Sequence, residues 1–185
     1  MKIVNIAHVS FPEERDPQAW ITKSAFFKGI WEAVAQKDKV IFIDFIGYNG
    51  SIQKNGLEYR FLKRSRRALR LPWSVHRMVA AEDPDAVIVH GIQFPLQVLS
   101  LKWFLKKKCR LVVQDHGGTP LRRPVKKYLQ RLADRCIDAY FFTAAAQAKK
   151  YREQGIIKEE RKVKEVMEVA SGFRPCGRNE GRSFT

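Results

Sequence analysis

The 185-residue sequence predicts a doubly wound α/β domain, and three observations support this fold class. Short apolar runs typical of buried strands recur along the whole chain. Longer segments separate them, and in these the apolar residues return every three or four positions, as on one face of a helix. Parallel strands require such crossover helices. The alternation therefore indicates a Rossmann-like, mostly parallel sheet of about seven strands with helices on both faces.

The first half of the chain carries three predicted strands and two predicted helices. The segment KIVNIA forms the first strand, and the polar segment SFPEERDP that comes after it contains two prolines, which is typical of a loop. Ile30, Trp31 and Val34 share one helical face, and Pro72 marks the start of the second helix. We expect strands at 2–7, 40–46 and 57–62, helices at 18–36 and 73–81, and glycines 47 and 50 at the end of the second strand.

The second half repeats the alternation. AVIVH, RLVVQ, DAYFFT and KVKEVMEV are apolar enough for strands, and Tyr128, Leu129 and Leu132 share one face of a helix from which Lys127 and Arg131 are excluded. We expect strands at 86–90, 110–114, 138–143 and 162–169, and helices at 95–107, around 125–132 and at 145–153. Residues 1–170 then form the domain, and residues 171–185 begin a linker or form a tail.

The charge of the chain is strongly positive. Thirty-five Lys and Arg against 19 Asp and Glu leave a net charge of +16, which predicts attraction to nucleic acid, an acidic membrane or phosphorylated substrates. The segment 60–77 contains seven basic residues and no acid, although a solvated basic face is the simpler explanation. The candidate anion or membrane patch comprises Arg60, Lys63, Arg64, Arg66, Arg67 and Arg70.

The apolar helix at 95–107 could extend this patch into a peripheral membrane face. The alternative is that Trp103 and Phe104 pack under neighbouring elements. His76, within the basic segment, is expected at the surface. No apolar run reaches the roughly 20 residues that span a bilayer, and the N-terminal segment reads as a strand rather than a signal peptide. We expect a cytoplasmic protein, with peripheral association at the inner membrane face as an option.

The cysteines and the known motifs exclude several kinds of site. Three cysteines without CxxC spacing or a nearby His argue against zinc and disulfides, and favour a reducing compartment. The chain contains no GxGxxG, no GxxxxGK[ST], no GxSxG and no HExxH. It therefore lacks the usual signatures of dinucleotide, P-loop, serine-hydrolase and zinc-protease sites, and we expect no bound metal.

Histidines and glycines follow the predicted strands instead. Ligands of doubly wound sheets bind outside the carboxyl ends of the strands, so these residues should meet at one edge. A neutral imidazole can accept a proton or orient a hydroxyl, and glycine lets the backbone approach a ligand closely. His116 is the candidate catalytic residue; the other candidate cleft residues are His8, Ser10, His90, Gly91, Asp115, Gly117 and Gly118.

Four segments together resemble the amino-terminal domain of GT-B glycosyltransferases of the retaining family 4. They are EDPDAVIVHGIQFP at 82–95, LVVQDHGGTP at 111–120, LADRCIDAYFFTAAAQAKKYREQGI at 132–156 and EVMEVASGFRP at 165–175. The resemblance implies one half of a GT-B fold and the acceptor-binding half of a glycosyltransferase. It also implies that His116 faces the cleft near the transferred sugar, and that Asp115, Gly117 and Gly118 shape its loop.

The resemblance further implies a nucleotide-sugar donor for the complete enzyme, no required metal, and a glycan or lipid-linked acceptor. Two departures bear on these expectations. Many relatives carry a Gly-Gly pair after the first strand, where this chain reads SFPEERDPQAW. The family's donor-binding domain would begin where the chain stops, so we expect no sugar transfer by this chain alone, and a donor domain on a separate chain is conceivable.

Two other functions stay open at this point. A basic nucleic-acid-binding module would use the positive charge, but only Phe61 and Trp73 lie in or beside the basic segment, whereas single-strand binders interleave aromatic residues with basic ones. The third possibility is a non-catalytic subunit that recruits a split glycosyltransferase to the membrane.

Overall fold

The computed structural model describes residues 1–65, 67–119 and 123–166. Within them, one eight-stranded sheet has the order β3-β4-β2-β1-β5-β6-β7-β8. The strands are β1 Lys2–Phe11, β2 Lys39–Ile46, β3 Gly50–Lys54, β4 Leu57–Phe61, β5 Ala86–His90, β6 Arg110–Asp115, β7 Ala139–Phe142 and β8 Val163–Glu165. The α-helices are α1 Pro17–Lys23, α2 Ala25–Ala35, α3 Trp73–Ala81, α4 Pro95–Phe104, α5 Pro124–Asp134 and α6 Ala145–Glu153.

The doubly wound, mostly parallel sheet is confirmed. All neighbouring strands run parallel except β3, which is antiparallel to β4 at one edge. The chain leaves β1 on one side towards β2 and returns on the other side at β5. The point where the strand order reverses therefore lies between β1 and β5, and ligands of such sheets bind at the carboxyl ends of these strands.

The edge strand β3 accounts for the difference between eight strands and the expected seven or so. Ile52 is its only apolar side chain and the other side chains are exposed, so it carries no apolar pattern. The turn after it is formed by Asn55 and Gly56, with φ of 53° and 80°. Positive φ at both central residues is typical of a two-residue hairpin, and Asn-Gly is its strongest sequence signal. The dipeptide was therefore the available clue.

Strand β1 is longer than predicted. It pairs with β2 from Lys2 to Ile6, shifts register, and pairs again at Ser10 and Phe11. His8 and Ser10 therefore belong to the strand itself and not to a loop after it. Successive side chains of a strand point to opposite faces of the sheet. His8 and Ser10 can therefore face the other side of the sheet from the residues next to them.

The helix predicted at 18–36 is divided in two at Ser24. The Ser24 hydroxyl donates to the carbonyl of Trp20 at 2.7 Å, and this bond closes the last turn of α1 before α2 begins. A serine hydroxyl that bonds to the preceding turn competes with the helical ladder. Helices α1 and α2 then cover one sheet face, packing through Trp20, Ile21 and Trp31 against β2 and β4.

Helices α3 to α6 cover the other face, where the largest core cluster lies. Helix α5 is rotated relative to its apolar pattern, because Val125 and Tyr128 are exposed while Gln130 and Asp134 are buried. Asp134 accepts a hydrogen bond from the Tyr140 hydroxyl at 3.1 Å, and Gln130 donates to a backbone carbonyl. These buried polar contacts select the inward face. The last predicted strand, 162–169, is confirmed at Val163–Glu165; residues 162 and 166 do not belong to the strand, and residues 167–169 lie outside the described residues.

Candidate functional site

A cavity of about 470 Å³ opens at the carboxyl ends of β1 and β5, on the face covered by α1 and α2. Its position matches the ligand site expected of a doubly wound sheet. Strand β1 contributes every second residue from Asn5 to Phe11. The lining residues are Asn5, Ala7, Val9, Phe11, Trp20, Phe26, Phe27, Phe42, Asp44, Phe45, His90, Gly91, Gln93 and His116. We call this space the α2-side cavity.

Two of the predicted histidines meet at one end of the α2-side cavity. His90 ends β5 and His116 directly follows β6, and their rings are nearly parallel, with 5.2 Å between centroids. His90 Nδ1 lies 2.9 Å from His116 Nε2, and His90 Nε2 lies 3.2 Å from the Asn5 carbonyl oxygen Oδ1. The prediction that these strand ends converge is confirmed for His90 and His116.

The hydrogen bonds determine where the protons of this pair reside. Burial lowers the pKa of His90 to about 3, with smaller contributions from His116 and Lys28, so the ring is neutral near pH 7. Asn5 Oδ1 accepts the proton on His90 Nε2, and His90 Nδ1 is then an acceptor. His116 Nε2–H donates to it. Although part of the His116 ring is exposed, loss of solvation beside His90 also lowers the pKa of His116.

The loop after β6 is held by the carboxylate of Asp115. This side chain is buried and accepts hydrogen bonds from the Gly118 backbone N–H at 3.0 Å and from the Tyr151 hydroxyl at 3.3 Å. Gly117 has φ +89°, a left-handed conformation that favours glycine. A Cβ on Gly118 would lie 3.1 Å from an Asp115 oxygen. Asp115, Gly117 and Gly118 therefore shape the loop that positions His116.

A buried ion pair behind the cavity was not predicted. Lys28 is 1% exposed, and its ammonium lies 2.6 Å from Asp44 Oδ2, which also accepts from Trp20 Nε1 at 2.9 Å. Four aromatic rings surround the ammonium within 6 Å. Burial lowers the pKa of Lys28, and Asp44 opposes this shift. The sequence signal was a single carboxylate within the apolar strand VIFIDFI, because a charge there needs a partner.

The structure separates His8 and Ser10 from the other candidate cleft residues. Both sit on the α3 side of the sheet, where His8 Nε2 lies 3.1 Å from His76 Nε2 and Ser10 donates to the carbonyl of Arg64. They line a second cavity of about 280 Å³, with Arg70 among its other lining residues. Only Gly91 of the remaining candidates joins His90 and His116 in the α2-side cavity.

His76 is buried, and the expectation that it lies at the surface is wrong. Its ring contacts His8 on one side, and its Nδ1 lies 3.1 Å from the Ser100 hydroxyl on the other. Burial lowers the pKa of His8 to about 3 and that of His76 to about 4. Both rings are therefore neutral near pH 7 and form part of the core.

The predicted basic patch is only partly available to a ligand. Arg60 is engaged by Glu58 at 2.5 Å and by Glu82 at 2.6 Å, so its charge is neutralised within the fold. Lys63, Arg64, Arg67 and Arg70 are exposed, and Arg66 lies outside the described residues. Arg60 is therefore not available to a ligand at the candidate anion or membrane patch.

A second surface combines apolar and basic side chains on the outer side of α4 and α5, which pack against each other. We call it the α4–α5 surface. Trp103 is 88% exposed, so the expectation that it packs under a neighbour is wrong. The exposed apolar members are Leu96, Trp103, Val125 and Tyr128, and Lys102, Lys126, Lys127 and Arg131 accompany them. The only acid on either helix, Asp134, is buried.

In the part of the chain that the structure describes, no helix has the length and apolarity to cross a bilayer. The same residues contain no cluster of three or more His, Cys, Asp or Glu suited to a metal ion.

Comparisons with known proteins give a consistent fold. The family model of the Glycosyl transferase 4-like domain matches residues 51–164. No curated protein matches the sequence. Three solved structures are similar. UDP-GlcNAc 2-epimerase from Methanocaldococcus jannaschii has a TM-score of 0.52 at 15% identity, and a putative UDP-N-acetylglucosamine 2-epimerase from Listeria monocytogenes has 0.54 at 14%. The apo structure of OtsA has 0.51 at 12%.

The coverage of these matches is unequal. They cover 90%, 88% and 83% of this chain, in the same order, but only 45%, 44% and 43% of the solved chains. The chain therefore spans less than half the length of each of these structures. At such low identity the similarity shows a common fold and nothing about ligands.

Proposed function

Because the chain belongs to the Glycosyl transferase 4-like domain family, we propose that it is the acceptor-binding half of a glycosyltransferase. The complete enzyme would move a sugar from a nucleotide-sugar donor to a glycan or lipid-linked acceptor. The observation that carries this proposal is the α2-side cavity, which has the neutral pair His90 and His116 at one end. The sequence contains no GxGxxG, GxxxxGK[ST], GxSxG or HExxH motif that would favour another reaction.

In this proposal His116 orients the acceptor at the end of the cavity. A neutral imidazole can hydrogen-bond a hydroxyl without adding charge. His90 and Asn5 act as positioning residues, because their hydrogen bonds to each other and to His116 hold the His116 ring and select its tautomer. The loop bond between Asp115 and Gly118 keeps the backbone of His116 in place.

The donor would bind to a second domain, which would lie beyond the part of a GT-B fold that this chain matches. We therefore propose that nucleotide sugars bind the chain itself with dissociation constants weaker than about 1 mM, which calorimetry can measure. That value corresponds to roughly 4 kcal/mol of binding free energy. Micromolar binding of a nucleotide sugar to this chain would contradict the proposal that the donor binds to a second domain.

The role of His116 is tested in the chain joined to a donor domain, or in a longer parent protein, with a panel of nucleotide-sugar donors. His116→Ala should lower transfer about 100-fold, the loss expected when the acceptor is no longer held in position. Lys149→Ala, an exposed change on α6, is the control. Both variants should keep the wild-type circular dichroism spectrum. Transfer by a folded His116→Ala variant at the wild-type rate would contradict the site.

We further propose that the α4–α5 surface binds an anionic bilayer, which would bring the enzyme to lipid-linked acceptors. Trp103 and Tyr128 are exposed, and aromatic rings of this kind sit well at the membrane interface. Each nearby Lys or Arg contributes about 1 kcal/mol at an anionic surface. The absence of an exposed acid on α4 and α5 leaves this attraction unopposed.

Vesicle sedimentation tests whether the chain binds an anionic bilayer and whether the α4–α5 surface makes the contact. The chain should sediment with vesicles of phosphatidylglycerol and phosphatidylcholine, and much less with phosphatidylcholine alone. Trp103→Ala should weaken sedimentation several-fold, whereas Trp73→Ala, a matched exposed tryptophan on α3, should not. A stronger effect of Trp73→Ala would assign binding to the 60–77 segment. Salt-sensitive oligonucleotide binding without vesicle binding would favour a nucleic-acid-binding module instead.

A further inference from the structure

The chemistry of the α2-side cavity indicates what kind of group it holds. Its walls are dominated by apolar side chains: Ala7, Val9, Phe11, Trp20, Phe26, Phe27, Phe42 and Phe45. Several of its polar groups are already engaged. His90 bonds to Asn5 and His116, and Asp44 Oδ2 accepts from both Lys28 and Trp20. Apart from the exposed amide of Gln93, few hydrogen-bonding groups are therefore left for a ligand.

One buried donor at the polar end has no partner. The amide Nδ2 of Asn5 is buried and makes no hydrogen bond within the described residues. Asn5 lines the cavity and contacts His90, which in turn contacts His116. A buried donor left unpaired costs about 1–3 kcal/mol, so an oxygen of a bound molecule would stabilise this end of the cavity.

We propose that the cavity binds an uncharged, largely apolar group that carries one hydroxyl, with its oxygen at the end formed by Asn5, His90 and His116. The identification of this molecule as the acceptor rests on the proposed function. The acceptor is then an aromatic or otherwise apolar alcohol. The group bound in the cavity is thus not a bare saccharide. The apolar part contacts the rings of Trp20, Phe27 and Phe42.

A saccharide in this space would leave most of its hydroxyls unpaired. Each unpaired hydroxyl costs about 1–3 kcal/mol on burial, and a hexose carries several of them around its ring. The wall formed by Val9, Phe11 and Phe26 offers no side-chain hydrogen bonds. An apolar ring instead gains roughly 25 cal/mol for each Å² of surface removed from water.

Charged groups are disfavoured for a different reason. Among the described lining residues there is no Lys or Arg, so a phosphate or carboxylate would find no cation. The nearest ammonium, that of Lys28, lies behind the lining and is bound to Asp44. The pair carries no net charge wherever its proton resides, and it therefore attracts neither an anion nor a cation strongly.

Three probes distinguish an apolar alcohol, an anion and a saccharide as ligands when binding to the full chain is followed by ligand-detected NMR and calorimetry. 2-Naphthol should bind saturably. Naphthalene-2-sulfonate, which has the same ring system with a negative charge, and methyl glucoside should each bind at least tenfold more weakly. Equal or tighter binding of methyl glucoside would overturn the proposal, and so would equal binding of the sulfonate.

Variants place the probe in the cavity. Val9 is exposed at the rim, so Val9→Trp should fill the space and weaken 2-naphthol binding at least tenfold. Phe26→Ala removes a second exposed wall residue and should weaken binding several-fold, which covers the case in which Val9→Trp does not fold. Trp103→Ala is the control for adsorption at the α4–α5 surface, and it should leave the affinity unchanged. Wild-type affinity in folded Val9→Trp and Phe26→Ala would overturn the proposal.

The outcomes also distinguish this inference from the proposed function. If His116→Ala abolishes transfer but 2-naphthol does not bind, the acceptor class is wrong and the glycosyltransferase role stands. If 2-naphthol binds at the cavity while His116→Ala leaves transfer unchanged, the cavity is an apolar binding site and the role of His116 is wrong.

Discussion

Acidification should destabilise the fold well above the pH at which carboxylates protonate, because His8 and His76 are buried side by side. Burial lowers the pKa of His8 to about 3, with a smaller effect of His76, and it lowers the pKa of His76 to about 4. In the unfolded chain both have pKa values near 6.5. The folded pKa is the lower one, so the unfolded state binds more protons below pH 6.5. Stability is therefore complete above that pH and is lost as the pH falls.

The magnitude follows from these pKa differences. Each proton-binding difference costs about 1.4 kcal/mol per pH unit below the unfolded pKa, so at pH 5 each of the two histidines costs about 2 kcal/mol. The pair together costs about 4 kcal/mol, a large part of the 5–15 kcal/mol that stabilises a typical domain. His90, whose pKa is about 3, acts in the same direction.

Urea unfolding at pH values between 7.5 and 5, followed by tryptophan fluorescence, measures this loss. In the double variant His8→Phe/His76→Leu, the decrease over this interval should be smaller by about 4 kcal/mol, whatever the variant does to stability at pH 7.5. A wild-type free energy of unfolding that changes by less than about 1 kcal/mol between pH 7.5 and 5 would refute the reasoning. So would a double variant that retains the whole decrease.

Three further predictions concern stability and are checked by urea unfolding at pH 7.5. Lys28→Met leaves Asp44 buried without its cation and should cost about 3–5 kcal/mol, while Lys28→Met/Asp44→Asn should cost less; equal losses would argue against coupling of the pair. Gly117→Ala places a side chain at φ +89° and should cost about 1–2 kcal/mol, and no loss would show that the loop relaxes. Tyr140→Phe removes the hydroxyl that donates to the buried Asp134 carboxylate and should cost about 1–3 kcal/mol, and a neutral result would mean that the Lys162 ammonium, 3.6 Å from Asp134 Oδ1, suffices.

The parallel core could be predicted from the sequence because its strands are continuous apolar runs. The strand Ala86–His90 and the helices Trp73–Ala81 and Ala145–Glu153 have the expected bounds. The edge strand Gly50–Lys54 lacks an apolar pattern, since neither of its faces is deeply buried. Its existence depends on the Asn-Gly turn and on pairing with β4, which periodicity does not report.

The candidate site could be predicted only where a residue follows a strand. His90 and His116 meet because parallel strands β5 and β6 end at the same edge. His8 departs from the prediction because β1 continues past it, and strand alternation then turns it to the α3 side. The ion pair of Lys28 and Asp44 joins residues on different elements, so sequence spacing alone does not reveal it.

Strand β1 separates two cavities, one lined mainly by aromatic residues and the other containing polar and basic residues. Its odd-numbered residues from Asn5 to Phe11 line the α2-side cavity, while His8 and Ser10 line the smaller cavity that includes Arg70. Insertion or deletion of a single residue near Ile6 would therefore exchange the residues that face the two cavities. Point changes at Ala7 or Phe11, or at His8 or Ser10, by contrast, can alter one cavity and leave the other alone, whereas a change at Val9 alters both.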